Sequence, residues 1–393
     1  MKYIFDEIIN RKGTYCSQWD FNLERFGRED VLPFSISDTD FKIPKEISEI
    51  LTTCVNHQIY GFTRWNHNDF KESIMNFYQR RHSIILDKES IVYSPTVMYS
   101  ISLLLELLSN EGDAVLTCNP MYDAFFNGIQ KNNRVLLKSE LQLIDNRYQV
   151  DFKDIENKLS KAKIFLLCSP HNPTGKMWLK EELDTLVSLC KKYQVKIISD
   201  EIHSDMILSN QRYISILEYQ KEYTDIYMVS SASKTYNTPG LLGSYVCINN
   251  KAIREPFNDF CKNRDFVGSA SLLGIQATMT GYRYCDEYIE QLVEYIKGNM
   301  QVIERFIKDN FNDISFTIPE ATYLAWMDLT KVPFTMQQIQ EALITVGKVG
   351  IMDGNHYGKD KYLRMNIGCP RSKVEEGLQR LKKALDYLYK TQE

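Results

Sequence analysis

A lysine in a serine-rich turn is the residue of this sequence whose surroundings best suit covalent chemistry. Lys234 lies in the run Ser-Ala-Ser-Lys-Thr at 231–235, which follows an apolar run and precedes a Pro-Gly pair. A lysine whose pKa is lowered by its pocket attacks carbonyl groups and forms a covalent imine with them. The hydroxyls of Ser231 and Ser233 could hold a phosphate beside it. Such a run is also typical of a solvated loop, so its interpretation depends on the rest of the chain.

Other polar residues follow apolar runs that we predict to be strands of an open α/β sheet. Asn172 follows the run 163–168, and Asp200 and His203 follow the run 195–199. In such sheets, ligands bind beyond the carboxyl ends of the strands. We therefore expect these side chains to meet the lysine at one edge of the sheet.

Two further stretches are expected at the same edge. Tyr122 follows the predicted strand 114–117, and Val97 and Met98 begin a helix after the apolar run 91–93. The first turn of a helix has free backbone N–H groups and a positive dipole end, so it suits a phosphate group. An aromatic ring and an anion site thus join the predicted ligand site.

The elements that must position these residues alternate along the chain. From residue 91 onward, short apolar runs alternate with helical patterns, which predicts an α/β fold with a mostly parallel sheet covered by helices on both faces. The predicted strands are 91–93, 114–117, 134–138, 163–168, 195–199, 226–230 and 244–248. The predicted helices lie near 44–55, 68–81, 94–108, 151–159 and 181–193.

The pattern changes near residue 285. A single long helical period follows and is predicted to connect two domains. Beyond it lie strand candidates 314–318, 322–327 and 362–367, with helices near 336–346 and 373–389, a mixture that predicts a smaller α+β domain. The predicted division is an N-terminal segment (1–45) that packs with the small domain, a large domain (46–285) and a small C-terminal domain (286–393).

Composition argues against several classes of function. The 393-residue chain has a net charge of -4, which gives no basic surface for nucleic acid or acidic membranes. Nine cysteines without paired spacing and six histidines indicate neither a disulfide framework nor a metal site. The N-terminus does not resemble a signal peptide, and no apolar stretch approaches the roughly 20 residues of a membrane helix. We expect a cytoplasmic protein that binds neither nucleic acid nor membrane.

Four ordered motifs carry a resemblance to a known family. They are Asn-Pro-Thr-Gly at 172–175, Asp-Glu-Ile-His at 200–203, Ser-Ala-Ser-Lys-Thr at 231–235 and Leu-Arg-Met-Asn-Ile-Gly at 363–368. In order and approximate spacing they resemble the fold-type I pyridoxal-phosphate enzymes, and within them the MalY/PatB branch of carbon–sulfur β-lyases. The resemblance covers roughly residues 19–388. It implies a fold-type I architecture, pyridoxal 5'-phosphate as cofactor and a small amino-acid substrate.

The resemblance also implies a role for each site residue. Lys234 carries the cofactor and acts as base, while Asp200 keeps the pyridine nitrogen protonated so that the ring accepts electrons. Asn172 binds the ring oxygen and lies beside the substrate. Tyr122 is expected to stack on the ring and to count as catalytic together with Lys234 and Asp200. His203 is expected to contact the cofactor, and Arg364 to bind the substrate carboxylate. The residues expected to bind the phosphate are Ser231, Ser233, Val97 and Met98.

The resemblance further implies a homodimer. Tyr60 is expected to arrive from the neighbouring subunit and to complete its phosphate site. Two-fold dimers are also the commonest closed assemblies. Tyr60 lies before the predicted main sheet and far from the lysine in sequence, which is consistent with a role in the other copy.

Several of these residues have other interpretations when they are taken alone. Arg364 would be a surface arginine on a strand, and Asp200 would cap a helix. His203 would be a buried histidine whose hydrogen bonds are satisfied, and Tyr122 would be part of the core. The order of the motifs favours the functional interpretation of all four.

The chain departs from family patterns at a few positions. Leu242 stands eight residues after the lysine, where aminotransferases of this fold commonly place a phosphate-binding arginine. The lyase branch lacks that arginine too, so the departure favours a lyase. Thr39, Tyr78, Ala124 and the segment around Thr96 also differ from common lyase residues, and they bear on substrate identity more than on cofactor use.

The predicted activity is β-elimination from cystathionine or another cysteine S-conjugate, giving a thiol or homocysteine, pyruvate and ammonia. An aminotransferase would share every residue named so far and is the first alternative. A binding or regulatory role of the same fold is a further alternative, and no DNA-reading helix pair or basic patch supports it. The sequence does not identify the preferred thiol.

Overall fold

The computed structural model describes residues 2–392, so Met1 and Glu393, the outer limits of the predicted N-terminal segment and small domain, lie outside the described residues. The strands are β1 Leu32–Pro33, β2 Ile91–Ser94, β3 Ala114–Asn119, β4 Val135–Glu140, β5 Gln142–Ile144, β6 Arg147–Gln149, β7 Ala162–Cys168, β8 Lys196–Asp200, β9 Ile226–Ser230, β10 Ser244–Ile248, β11 Leu324–Asp328, β12 Val349–Gly350, β13 Met352–Asp353 and β14 Tyr362–Asn366.

Helices separate most of these strands. They are α1 Asn22–Phe26, α2 Lys45–His57, α3 Asn68–His82, α4 Val97–Leu108, α5 Asp123–Lys131, α6 Phe152–Leu159, α7 Lys180–Tyr193, α8 Ser233–Tyr236, α9 Lys251–Asp259, α10 Leu272–Tyr284, α11 Asp286–Asn310, α12 Met336–Ala342 and α13 Arg371–Gln392. The Asp151 side chain caps α6 by accepting from the Asp154 backbone N–H, as the sequence predicts. Helices α3 and α13 match predicted helices within a few residues.

A seven-stranded sheet in the order β2-β10-β9-β8-β7-β3-β4 forms the centre of the molecule. The pairs from β9 through β4 are parallel, and β10 is antiparallel to both of its neighbours. The predicted mostly parallel sheet is therefore confirmed. Because β10 runs in the opposite direction, its first residue, Ser244, lies at the edge where the neighbouring strands end.

Both faces of this sheet are buried, as a parallel sheet requires. In β7, Ile164 and Leu166 belong to one buried cluster, whereas Phe165 and Leu167 belong to the other. Successive side chains point to opposite faces, so each cluster fills the space between the sheet and one helical layer. Loops beyond the strand ends are the remaining place for a ligand.

Residues near the N-terminus contact the C-terminal part of the chain. Strand β1 pairs in parallel with β12, and the Asp40 carboxylate contacts Lys373 Nζ at 2.6 Å and Arg11 at 2.8 Å. The 25-residue helix α11 leads into a three-stranded sheet of order β11-β14-β13. The division into domains at residues 45 and 285, with the N-terminal segment assigned to the small domain, stays a prediction.

The predicted strand at 314–318 is wrong. In this stretch, Ser315 forms a single antiparallel bridge with Asp328 and no ladder follows. Pro319 comes directly afterwards, and proline lacks a backbone N–H and restricts the residue before it. The stretch therefore cannot extend its pairing along β11.

Candidate functional site

A cavity of about 180 Å³ opens at the carboxyl edge of the central sheet. A cavity needs roughly 10–15 Å³ to hold one water molecule, so this one has room for a small organic ligand. Its walls include nine of the predicted site residues: Val97, Met98, Tyr122, Asn172, Asp200, His203, Ser231, Ser233 and Lys234. The structure thus brings together residues that are spread over more than a hundred positions of the sequence.

Lys234 lies in the short helix α8, directly after β9. Its Nζ donates a 2.6 Å hydrogen bond to the Ser37 carbonyl oxygen. Burial lowers the pKa of Lys234 to about 8, with Arg364 adding to the shift and the Asp38 and Asp200 carboxylates opposing it. A larger fraction of this lysine is therefore uncharged near neutral pH than is usual, which makes it a better nucleophile and base.

Asp200 is the last residue of β8 and faces the same cavity. One carboxylate oxygen accepts a 3.1 Å hydrogen bond from the Ile202 backbone N–H. A turn rather than a helix follows, so Asp200 does not cap a helix. Burial raises the pKa of Asp200 to about 7, and the positive charge of Lys234 opposes that rise. A cation held against this carboxylate would keep it ionised.

The beginning of α4 forms one wall of the cavity. The Thr96 hydroxyl caps the helix by accepting from the Tyr99 backbone N–H at 3.1 Å. Val97 and Met98 occupy the first turn, where backbone N–H groups have no partner within the helix. This end of the cavity suits an anion.

The Ser231 hydroxyl supports the neighbouring loop. It donates to the Gly243 carbonyl oxygen at 2.7 Å and accepts from the Ser233 backbone N–H at 3.1 Å. Its proton is thus used inside the protein, which the sequence did not indicate. Leu242 lines the cavity beside it with φ 60° and ψ −174°, a backbone conformation that residues other than glycine rarely adopt.

Arg364 lies on β14 and contacts Asn172, which lines the cavity. One guanidinium nitrogen donates to Asn172 Oδ1 at 3.2 Å and another donates to the Ser35 carbonyl oxygen at 2.8 Å. The guanidinium also lies over the Tyr357 ring, 4.3 Å from its centre. The side chain is buried and its Nε has no hydrogen-bond partner, so Arg364 is not a surface arginine.

His203 and Tyr122 give the cavity a neutral and largely apolar surface. Burial lowers the pKa of His203 to about 3, with a further contribution from the positive charges of Lys234 and Arg364. Its buried Nδ1 has no partner, so it is not a satisfied core histidine. Burial raises the pKa of Tyr122 to about 12, so its hydroxyl stays protonated at neutral pH.

Tyr60 does not join the others within this chain. It is exposed, and its hydroxyl donates to the Val55 carbonyl oxygen at 3.2 Å. A contribution of Tyr60 to another subunit stays a prediction. Sequence reasoning missed Ser37 and Cys168, which also line the cavity. The position of Ser37 beside the acidic residues 38 and 40 was a signal that could have indicated it.

Two other kinds of feature are absent from residues 2–392. No group of three or more His, Cys, Asp or Glu side chains in that range could hold a metal ion. None of the described helices is long and apolar enough to cross a membrane.

The sequence is similar to a family of known enzymes and to proteins of known structure. The family "Aminotransferase class I and II" matches residues 29–381. Protein MalY of Escherichia coli K12 is 36% identical over 378 residues, which cover 95% of this chain and 96% of MalY. Cystathionine beta-lyase PatB of Bacillus subtilis 168 is 32% identical over 386 residues, which cover 97% of this chain and 99% of PatB.

A solved structure of a related protein has the same fold as this chain. The PLP-bound C-S lyase of Staphylococcus hominis superimposes with a TM-score of 0.91 at 28% identity, over 98% of this chain and 98% of that one. The predicted fold-type I architecture is thus confirmed. The chain belongs to the aminotransferase class I and II family.

Proposed function

We propose that this protein is a pyridoxal-phosphate-dependent carbon–sulfur β-lyase acting on cystathionine or another cysteine S-conjugate. The observation that carries the proposal is the half-buried Lys234, with its lowered pKa, in one cavity with the Asp200 carboxylate. The names of PatB, a cystathionine beta-lyase, and of the S. hominis C-S lyase support the same reaction. A cytoplasmic location stays part of the proposal.

The cavity residues fit pyridoxal phosphate. The first turn of α4 offers unpartnered N–H groups for a phosphate, and the carboxylate of Asp200 suits a protonated ring nitrogen. The buried Nδ1 of His203 lacks a partner, as expected of an atom that faces a polar ligand. In this assignment Lys234 holds the cofactor covalently, Asn172 binds its ring oxygen and Tyr122 packs against its ring.

The bound cofactor would supply an electron-accepting ring that stabilises negative charge on the α-carbon of an attached amino acid. Lys234 would supply the base: once the substrate amine has replaced Nζ on the cofactor, the freed and uncharged Nζ accepts the proton from the substrate α-carbon. The electron pair left on the α-carbon forms a bond to the β-carbon as the thiolate departs. Hydrolysis of the remaining fragment gives pyruvate and ammonia.

Arg364 is proposed to bind the substrate carboxylate. Two of its nitrogens already bind Asn172 and Ser35, which fixes the plane of the guanidinium. The partnerless Nε remains available for a carboxylate oxygen. Because the side chain is desolvated, this charged hydrogen bond is stronger than one on the surface. The arginine thereby orients the α-carbon towards Lys234.

An assay of pyruvate formation tests the proposed reaction. Cystathionine or a simpler cysteine S-conjugate should give pyruvate, ammonia and thiol in equal amounts without an added keto acid. An aminotransferase, the alternative favoured by the wider family, would require a keto-acid acceptor and would release no pyruvate from these substrates. A turnover that depends on the acceptor would therefore replace the lyase assignment.

We also propose that the active form is a homodimer. Ile59, Tyr60, Phe62 and Phe266 are exposed large apolar side chains, and a β-bridge between Thr63 and Ala270 brings their two segments together. A second copy covering this surface would bury it and would place Tyr60 near the phosphate end of the other cavity.

Subunit complementation tests this arrangement. Lys234→Ala and Tyr60→Ala proteins, each nearly inactive alone, are co-expressed with different tags and the mixed dimers are purified. If Tyr60 serves the partner, one site of each mixed dimer carries both substitutions and the other carries neither, so about half of the wild-type activity returns. If Tyr60 serves its own chain, no activity returns.

A further inference from the structure

A buried hydrogen bond lies directly beside Lys234 in the chain and outside the cavity lining. The Thr235 hydroxyl donates to Asp205 Oδ2 at 2.7 Å, and both residues are almost completely buried. Asp205 lies in the turn that follows β8, and Thr235 lies shortly after β9, so this bond links the loops beyond two neighbouring strands. It fixes the residue next to the lysine without touching the predicted ligand.

Asp205 faces the last residue of α3 on its other side. His82 Nε2 lies 3.6 Å from Asp205 Oδ1, and both side chains are buried. Burial alone would raise the pKa of Asp205, but His82, the Arg81 guanidinium and the Thr235 hydroxyl together lower it. The carboxylate therefore stays ionised and accepts strongly from Thr235.

The helix that carries Lys234 has little support of its own. Helix α8 has four residues and is followed by Asn237, which has the left-handed conformation. A single turn is unfavourable in isolation, so its position depends on contacts with other elements. The bond from Thr235 to Asp205 is such a contact at the residue directly after the lysine.

The effect of this bond on Lys234 is geometric. Burial and the charges of Asp38, Arg364 and Asp200 shift the pKa of the lysine, and Asp205 is not among these groups. A loosened turn would nevertheless move Nζ and admit water to it. A displacement of about 1 Å at a reacting group costs about a hundredfold in rate.

We propose that Thr235 and Asp205 are positioning residues for Lys234, with His82 facing the other carboxylate oxygen of Asp205. The inference rests on the proposed role of Lys234 as base. It assigns a function to a pair of residues that neither bind the substrate nor line the cavity. Their contribution should fall on kcat rather than on KM, because Arg364 and Asn172 are not attached to this turn.

The test compares Thr235→Val, which keeps the shape of the side chain and removes the hydroxyl, with Thr235→Ser, which keeps the hydroxyl. We expect Thr235→Val to lower kcat by about ten- to a hundredfold with KM changed by less than about threefold. Thr235→Ser should restore most of kcat. Ser139→Ala is a matched control, because Ser139 is a buried serine whose hydroxyl binds the Asp154 carboxylate at 2.6 Å, away from the cavity.

A second measurement uses the cofactor-free protein and does not depend on turnover. Reductive methylation of Lys234 is followed by mass spectrometry as a function of pH. The wild-type midpoint should lie near the pKa of about 8 that burial gives this lysine. In Thr235→Val it should move towards the ordinary lysine value, because a freed turn exposes Nζ. Thr235→Ser and Ser139→Ala should keep the wild-type midpoint.

The outcomes separate this inference from the proposed function. Unchanged kcat and an unchanged methylation midpoint in Thr235→Val would overturn the positioning role, as would an equal loss of kcat in Ser139→Ala. Full lyase activity in Lys234→Ala would instead reject Lys234 as the base. The methylation experiment would still decide whether Thr235 positions that lysine.

Discussion

Lys234 Nζ and the Ser37 carbonyl oxygen are joined by a 2.6 Å hydrogen bond, although 197 positions separate the two residues. The same N-terminal stretch binds Arg364 through the Ser35 carbonyl oxygen. The residue proposed to be the base and the residue proposed to bind the carboxylate therefore share one support. Residues 35–41 belong to the site even though no side chain among them is predicted to react.

Asn237 is expected to hold this stretch in place. Its side chain donates to the Thr39 and Phe41 carbonyl oxygens and accepts from the Thr39 N–H. Because its φ is 57°, Asn237→Gly removes these bonds without backbone strain. Urea unfolding should show a loss of about 1–3 kcal/mol. Gln58→Gly, at an exposed residue with φ 61°, is the control and should not lose stability to that extent.

Borohydride should fix the cofactor onto Lys234. Reduction of the purified yellow protein followed by peptide mapping should find the label there, because this lysine faces the cavity and its pKa is lowered. Lys176 is an internal control, since it is buried and paired with Glu182. Lys234→Ala should abolish elimination and keep the fold. Label on Lys176 or on any other lysine would contradict the assignment.

Arg364→Ala should impair substrate use but not cofactor binding. Loss of a charged, desolvated hydrogen bond costs about 1.5–3 kcal/mol, which is roughly ten- to a hundredfold in kcat/KM. Arg134→Ala provides a comparison, because Arg134 is also buried and binds carbonyl oxygens, at Ser109 and Asn132. It should lower stability while leaving kcat/KM nearly unchanged. Equal kinetics of the two variants would reject the carboxylate role.

The stability of the cofactor-free protein should fall with rising pH because of Asp200. Its pKa in the folded protein, about 7, lies above the unfolded value, so the stability that it contributes is complete below about pH 4 and is lost as the pH rises through 7. Relative to Asp200→Asn, the wild type should lose on the order of 2–4 kcal/mol between pH 4 and pH 7.5. Chemical unfolding of both proteins at several pH values measures this, and a constant difference would contradict it.

Leu242 is expected to store backbone strain at the cavity. Its φ of 60° with ψ of −174° is tolerated almost only by glycine, and such strain costs about 1–3 kcal/mol. Leu242→Gly should therefore be more stable than Leu242→Ala by about that amount, since both lose the side chain and only glycine relaxes the backbone. Thermal unfolding of the two variants measures the difference. Equal melting temperatures would show that the position is unstrained.

The sequence predicted the strands of the main sheet because they are continuous apolar runs. Residues at the ends of such strands could be assigned to one edge before their contacts were known, which is why Asp200, Asn172 and Tyr122 were found. Helix α10 was missed because Gly274 and Gly281 interrupt its apolar period. At Gly281 a Cβ would lie 2.4 Å from the Tyr236 ring, so close packing explains the glycine.

Contacts between distant segments could not be predicted. No local pattern shows that the Ser37 carbonyl oxygen meets Lys234 or that Thr235 binds Asp205, because each pair depends on how separate loops stack above the sheet. The backbone conformation of Leu242 could not be predicted either, because it also depends on how the loops pack above the sheet. Periodicity reports which face of an element is buried, but it does not report which loop covers its end.

The strand order also sets when the site can form during synthesis. Strand β2 pairs with β10, and Ser94 and Ser244, which meet there, are 150 positions apart. While β10 is still being synthesised, β2 has no strand to pair with and β9 has one unpaired edge, because β10 lies between them in the sheet. Unpaired strand edges promote aggregation. The anion-binding end of the cavity, built from the loops after β2 and before β10, is completed only when β10 leaves the ribosome. Cofactor binding by a nascent chain would therefore show that all seven strands of the central sheet have paired.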